Sequence, residues 1–273
     1  MRYCLPYIRN FKYAEELDEV IIPYQTEDLN FLKTLLKKDR ILSSRLIIDI
    51  KDAADFKNNN VIDLFIGIKK DYPELNFTLR FLTYSEIDSN MYKQLKEENI
   101  PFFFETYARN WDVFHGLIEL GVSDIYIVES LAFELDKLGP IAHAAGVSIR
   151  VFANVCQASW KPFDALKSFF IRPEDIDIYA DYVDVVEFYG DVHLQETMYK
   201  IYAHDKHWFG PLKEILIGFN ADLDSRFIVP AFGKARSGCG KKCLKGRHCT
   251  ICEKVVNLAD SLKNAGVYIK KKN

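Results

Sequence analysis

The sequence predicts an α/β chain built as an eight-stranded parallel (β/α) barrel that carries a C-terminal cysteine-rich metal-binding appendage. Two observations lead there. Short runs rich in β-branched and aromatic residues recur eight times, and most are followed by a stretch with helical periodicity or capping. Near the end, four of the six cysteines crowd into C-x3-C-x5-C-x2-C, a spacing that lets four thiolates converge on one metal centre.

The expected strands are Arg2–Ile8, Arg45–Ile50, Phe77–Thr83, Pro101–Thr106, Asp124–Ser130, Ser148–Val155, Ser168–Arg172 and Asp184–Phe188. Leu46-Ile47-Ile48, Phe102-Phe103-Phe104 and Ile125-Tyr126-Ile127-Val128 are continuously apolar. Strands buried on both faces read this way, as a parallel sheet covered by helices requires. Between them, Thr26–Lys38, Asp52–Asp71, Ser85–Glu98, Asn110–Leu120 and Leu131–Ala145 have polar starts and apolar faces, and Gly121 and Gly146 stand at two of the stop positions. Strict βα alternation leaves a doubly wound open sheet or a closed barrel of the TIM type. The count of eight favours the barrel, and no G-x-G-x-x-G or G-x-x-x-x-G-K-[ST] loop follows any strand to favour the open sheet. Residues 1–210 form the expected barrel and 211–273 the appendage: a short strand at Phe227–Pro230, the cysteine loop, and a closing helix at Glu253–Asn264.

With 273 residues, 49% of them hydrophobic, the chain can bury a large core. A net charge of −3 and a sequence pI near 6.1 exclude a surface that coats nucleic acid generally, leaving local basic patches at the cysteine segment and at Lys270–Lys272. No apolar stretch approaches the ~20 residues that span a bilayer, and the start of the chain has no apolar signal region, so a cytoplasmic protein without a membrane partner is expected. Cys4 and Cys156 are then reduced thiols.

Cys239, Cys243, Cys249 and Cys252 are the expected metal and cofactor ligands. The choice between an iron-sulfur cluster and Zn²⁺ stays open, because the six-residue step from Cys243 to Cys249 is short for a paired zinc knuckle and His248 can replace a thiolate. Lys234, Arg236, Lys241, Lys242, Lys245 and Arg247 surround the motif, where they favour thiolates or contact phosphates.

Barrel chemistry gathers at the C-terminal ends of the strands. Those positions hold Asp49, Asp52, Glu105, Glu129, Ser130, Asn154, Gln157, Arg172, Glu174, Glu187, Tyr189 and Asp191, an acidic mouth with one arginine. Clustered carboxylates can act as acid or base, and Arg172 can hold a carboxylate or phosphate. Asp52 and Asp175 read instead as helix caps. His193, two residues past Asp191, is a candidate to act with it; His204 and His207, three apart on an expected helix Gln195–Trp208, could reach one metal but read more readily as packing or solvated residues. No G-x-S-x-G elbow is present.

Three blocks, Val147–Asn154, Phe169–Asp175 and Val185–Gly190, with Leu120–Ile127 upstream, resemble the collagenase-like peptidase family thirty-two of unknown catalytic type over about residues 110–191. The resemblance implies a barrel, places Glu187, Arg172, Glu174 and Asn154 as catalytic or substrate-contacting residues, and implies an iron-sulfur cluster used in modifying RNA bases or small molecules. Where that family has histidine-glycine and cysteines after the glutamate, this chain has Gly190-Asp191-Val192-His193, and its cysteines come later and more tightly spaced. Three functions follow as expectations: an iron-sulfur enzyme acting on RNA or a small molecule, a non-catalytic protein with a zinc-stabilised tail, and a peptidase-like hydrolase.

Overall fold

The computed structural model describes residues 1–6, 11–24, 44–50, 61–83, 89–128, 131–237, 239 and 250–266. The expected helix Thr26–Lys38 and the residues Asp52, Glu129, Ser130, Cys243, His248 and Cys249 lie outside them.

Eight strands form one parallel sheet: β1 (Arg2–Pro6), β2 (Glu19–Tyr24), β3 (Arg45–Ile50), β4 (Phe77–Phe81), β5 (Phe102–Phe104), β6 (Asp124–Tyr126), β7 (Ser148–Phe152) and, further along the chain, Val185–Glu187. Between β7 and that last strand comes β8 (Val155–Ser159), which leaves the sheet and pairs with β10 (Ile217–Phe219), so Val185–Glu187 is β9. The sheet runs β5-β4-β3-β2-β1-β9-β7-β6. Its two edges then meet: the Ser123 amide donates to Phe102 O (2.8 Å), and Ala108 bridges Ile127 in parallel. The result is a nearly closed barrel in sequential strand order.

The count of eight is as the sequence predicts, but its membership differs by one exchange. Glu19–Tyr24 is a barrel strand that the sequence reading passes over, because Glu19 and Pro23 interrupt its apolar run. Both are accommodated: β2 is paired through its whole length to β3, and the buried Glu19 carboxylate faces arginines inside the barrel. Ser168–Arg172, expected as a strand, is a buried extended segment that touches the barrel at one point, Ile171 N to Ala153 O (2.9 Å). Its apolar run serves a different contact, since Phe169 packs edge-on to Phe133 and Tyr179, and Phe170 to Phe219.

Helices α1 (Val61–Asp71), α2 (Ser89–Glu97), α3 (Trp111–Leu120) and α4 (Leu135–Ala144) follow their strands as expected. Each buries a narrow stripe, such as Met91 and Leu95 of α2 or Phe114 and Leu117 of α3. Asn110 caps α3 by accepting from Val113 N (2.9 Å), and Gly121 closes it in the left-handed conformation. Leu131–Glu134 forms a 3-10 turn before α4. Later come α5 (Pro162–Lys167), α6 (Val192–Tyr199), a π turn over Lys200–Asp205, α7 (Ala231–Ser237) and α8 (Ile251–Asn264). Phe227–Pro230, expected as a strand, instead joins a 3-10 turn at Ser225–Phe227 to α7, because the Asp224 carboxylate caps the turn at Arg226 N (2.8 Å). Among the described residues no helix is long and apolar enough to cross a membrane.

Candidate functional site

Alternation along the strands turns Glu19, Arg45, Asp49, Arg80, Asp124, Arg150 and Glu187 toward one another, and most of them are fully buried. Arg150 is the hub. Its Nη1 reaches Glu19 Oε2 (2.7 Å) and Asp124 Oδ1 (2.9 Å), while Nε and Nη2 donate to Glu187 Oε1 (2.9 and 2.6 Å). Phe103 and Tyr126 lie against the guanidinium at 4.9 and 5.6 Å. Arg45 takes both Asp124 oxygens (2.9 and 2.7 Å), and Arg80 takes Asp49 (2.9 Å). Tyr126 donates to Glu187 Oε1 (2.6 Å), and burial followed by the Glu187 charge pushes its hydroxyl well above the ordinary tyrosine range. Burial alone would raise the Asp124 carboxyl, but Arg150 and Arg45 outweigh it and hold the group at about 2.

This network corrects the expected acidic mouth. Asp49 and Glu187 point into the barrel and are matched by Arg80 and Arg150 instead of facing solvent together. The space above them is a cavity of about 590 Å³ at the C-terminal ends of β5, β6, β7 and β9. Tyr107, Phe152 and Tyr189 give it aromatic walls; Ile127, Val128, Val155 and Ile217 line it with aliphatic surface; Arg109, Gln157, Ser168 and Cys156 supply its polar groups. Phe152 stacks flat on Tyr126 (5.4 Å, 5°) and receives Tyr107 and Tyr189 edge-on (6.2 Å each), so the aromatic wall continues the packing of the barrel interior. The β8–β10 pair forms the rim, and only glycine fits at Gly218, where φ is +87° and an added Cβ would strike the Cys156 carbonyl.

The predicted site residues separate into three places. Asn154 is fully buried behind the cavity, where its amide donates to Tyr189 O and accepts from Tyr189 N (2.8 Å each), clamping the backbone of a wall residue. Glu187 lies in the barrel network. Arg172 and Glu174 are not at the mouth: Arg172 pairs with both Asp175 oxygens (2.6 and 2.9 Å) and Glu174 accepts from Ser225 (2.7 Å), beneath the C-terminal segment. The Asp175 carboxylate leaves room only for glycine at Gly233, which locks α7 onto this turn. Of the expected mouth residues, Gln157 and Tyr189 line the cavity. Tyr107, Arg109, Phe152 and Cys156 were not anticipated; the signal available was the aromatic-basic step Tyr107-Ala108-Arg109 just past a strand end. Burial raises the Cys156 thiol to about 11, which disfavours the thiolate. His204 pairs with Glu16 (3.2 Å) and packs on Tyr13, as a packing residue should.

Two of the four clustered cysteines are among the described residues. Cys239 follows α7, its amide donating to Arg236 O (3.1 Å), and Cys252 opens α8 with its sulfur 3.7 Å from Leu166 O in α5. Leu166 is two residues before Ser168, which lines the cavity, and the Arg236 guanidinium donates to the Ser168 carbonyl. Cys252 and Arg236 thus touch Leu166 and Ser168, the stretch that leads into the cavity wall. Among the described residues no three His, Cys, Asp or Glu side chains form a metal-holding group.

No protein-family model and no curated protein matches the chain. Among solved structures it is similar to tryptophan synthase from M. tuberculosis in the aminoacrylate-bound form, at 11% identity and a TM-score of 0.42 over 80% of this chain and 90% of that one. It is also similar to the same protein bound to aminoacrylate and BRD0059, at 12% identity and a TM-score of 0.39 over 79% and 88%. No residue role passes from either to this chain.

Proposed function

We propose that this chain is a barrel enzyme that binds a small planar substrate, an RNA base or a comparable aromatic molecule, in the mouth cavity, and modifies it with the help of an iron-sulfur cluster held by Cys239, Cys243, Cys249 and Cys252. The observation that carries this reading is adjacency: a 590 Å³ cavity walled by Tyr107, Phe152, Phe169 and Tyr189 includes Ser168, whose carbonyl accepts from Arg236, three residues before Cys239. Tyr107, Phe152 and Tyr189 supply faces and edges for a flat ring, and Arg109 and Gln157 supply donors for its polar rim. Asn154 holds Tyr189 in place, and the arginine-rich barrel interior fixes Phe152 through Tyr126. When bound, the cluster would supply one-electron chemistry. The partial resemblance of residues 110–191 to the collagenase-like peptidase family agrees with this combination.

A structural Zn²⁺ is the second reading. The observation in its favour is that α8 buries only Val255 and Ala259, so the tail has little core of its own and a metal clip would order it.

Anaerobic purification, elemental analysis and a visible spectrum decide between them. Iron with acid-labile sulfide and absorption near 400 nm is the expected result; colourless protein with one zinc per chain would move the function to the second reading. Nucleoside titration followed by intrinsic fluorescence tests the cavity. Binding lost in Tyr189→Ala supports it, and binding unaffected by Tyr189→Ala and Tyr107→Ala refutes it.

A further inference from the structure

The mouth cavity is aromatic and aliphatic over most of its wall, and among the described residues that line it Arg109 is the one with a charged side chain. Its backbone is held on both sides. Ala108, fully buried, donates from its amide to Tyr126 O (2.8 Å) and bridges Ile127, while the Asn110 side chain accepts from Val113 N (2.9 Å) to start α3. Between these fixed points Arg109 is exposed at the edge of the cavity, two residues from the Tyr107 wall. A guanidinium presents a fork of several N–H donors, so a contact to protein leaves others for a ligand.

The acidic groups beneath do not cancel this charge. Glu19 meets Arg2, Arg45 and Arg150, Asp124 meets Arg45 and Arg150, Asp49 meets Arg80, and Glu187 meets Arg150 and Arg80. Glu19, Asp49, Asp124 and Glu187 are thus matched by Arg2, Arg45, Arg80 and Arg150, and the barrel floor is close to neutral. At the rim, Asp191 caps α6 at Leu194 N (2.9 Å), and neither it nor Glu105 lines the cavity. The other polar lining groups are uncharged: burial, and after it the Glu105 charge, raises the Tyr107 hydroxyl so that it stays a donor, and Gln157 and Ser168 carry no charge.

We propose that the ligand of this cavity is a planar ring bearing an anionic group, a carboxylate or a phosphate, and that Arg109 is the residue that selects it. This rests on the aromatic-cavity reading above and adds to it the charge of the ligand. Tyr107, Phe152 and Tyr189 take the flat ring, and the planar, two-pronged guanidinium takes two oxygens of the anion. The same arrangement excludes cations, because a cationic ligand would face Arg109 with no carboxylate among the described lining residues to offset it.

The test measures binding of three near-isosteric probes to the full-length protein by calorimetry: 2-naphthoate, 2-naphthamide and 2-naphthamidine, which are anionic, neutral and cationic. Wild type should bind the carboxylate about tenfold or more tighter than the amide, the scale of a charge-assisted contact, and the amidine weakest. Arg109→Gln should bring carboxylate and amide to within about twofold while leaving the amide affinity as in wild type, and Arg109→Lys should fall between. Raising salt from about 50 to about 500 mM should weaken the carboxylate and leave the amide unchanged, a readout on wild type that needs no variant. A fourth probe, 2-naphthyl phosphate, distinguishes the two anions: binding tighter than the carboxylate assigns a phosphate, and weaker binding assigns a carboxylate. Equal affinity for carboxylate and amide in wild type, with both lost in Tyr189→Ala, would overturn the inference and leave the aromatic cavity standing. Tightest binding of the amidine, or a carboxylate preference that survives Arg109→Gln and disappears in Lys161→Gln, would also overturn it. If wild type binds none of the four probes, this inference and the aromatic-cavity reading fall together.

Discussion

Replacing Arg150 with methionine tests the claim that ionic matching, and not apolar packing alone, holds the barrel interior. The guanidinium contacts Glu19, Asp124 and Glu187, but their losses are unequal. Glu19 keeps Arg2 (2.8 Å) and Arg45 (3.2 Å), and Asp124 keeps the two-point contact from Arg45. Glu187 is left with the Tyr126 hydroxyl at 2.6 Å and Arg80 at 3.6 Å. The variant therefore strands about one buried carboxylate, for which the expected cost is about 3–5 kcal/mol. In a chain of this size that is roughly 5–9 °C in Tm. Urea unfolding followed by far-UV circular dichroism at pH 7 measures it directly, with the midpoint shifted and the slope unchanged. Arg150→Lys should fall between wild type and methionine because one ammonium cannot span three carboxylates. A loss below about 1 kcal/mol at pH 7, the scale of an exposed pair, would refute the reasoning.

Asp124→Asn should be less stable than wild type by about 2.5 kcal/mol at pH 7, from a carboxyl held at about 2 in the fold against ~3.9 unfolded. Because the folded value is the lower one, that difference is fully present above about pH 4 and disappears as pH falls through 2, which thermal melts across this range will show. Gly233→Ala forces a methyl onto the Asp175 carboxylate and should cost about 1–3 kcal/mol or more. Gly116→Ala, inside α3 with nothing within 4 Å of the new atom, should instead stabilise by about 0.5–1 kcal/mol; equal effects at the two glycines would contradict the described packing. Cys156, with its thiol near 11, should react with iodoacetamide at pH 8 roughly 200-fold more slowly than a free thiol of pKa ~8.5, as mass spectrometry of the labelled peptide will report.

By itself the sequence determined the fold class, since runs such as Leu46-Ile47-Ile48 and Phe102-Phe103-Phe104 bury on both faces of a strand and the helical stretches between them carry their own caps at Asn110 and Gly121. Those are local properties, decided by side-chain periodicity and backbone conformation within a few residues. What each polar residue faces is not local. Glu19 and Pro23 argue against a strand until β3 supplies the hydrogen bonds and Arg45 and Arg150 supply the charge. Asp49 and Glu187 look like mouth residues until closure of the barrel turns them onto Arg80 and Arg150. Phe169-Phe170-Ile171 is as apolar as any strand, yet it packs against aromatic rings beside α7. The cavity wall at Tyr107, Phe152 and Tyr189, and the contact of Arg236 with Ser168, exist only because segments distant in sequence are brought to one end of the barrel. A sequence states which residues can be buried or charged; the partner that makes such burial stable is chosen by tertiary structure, because Coulomb and packing energies depend on separation in space.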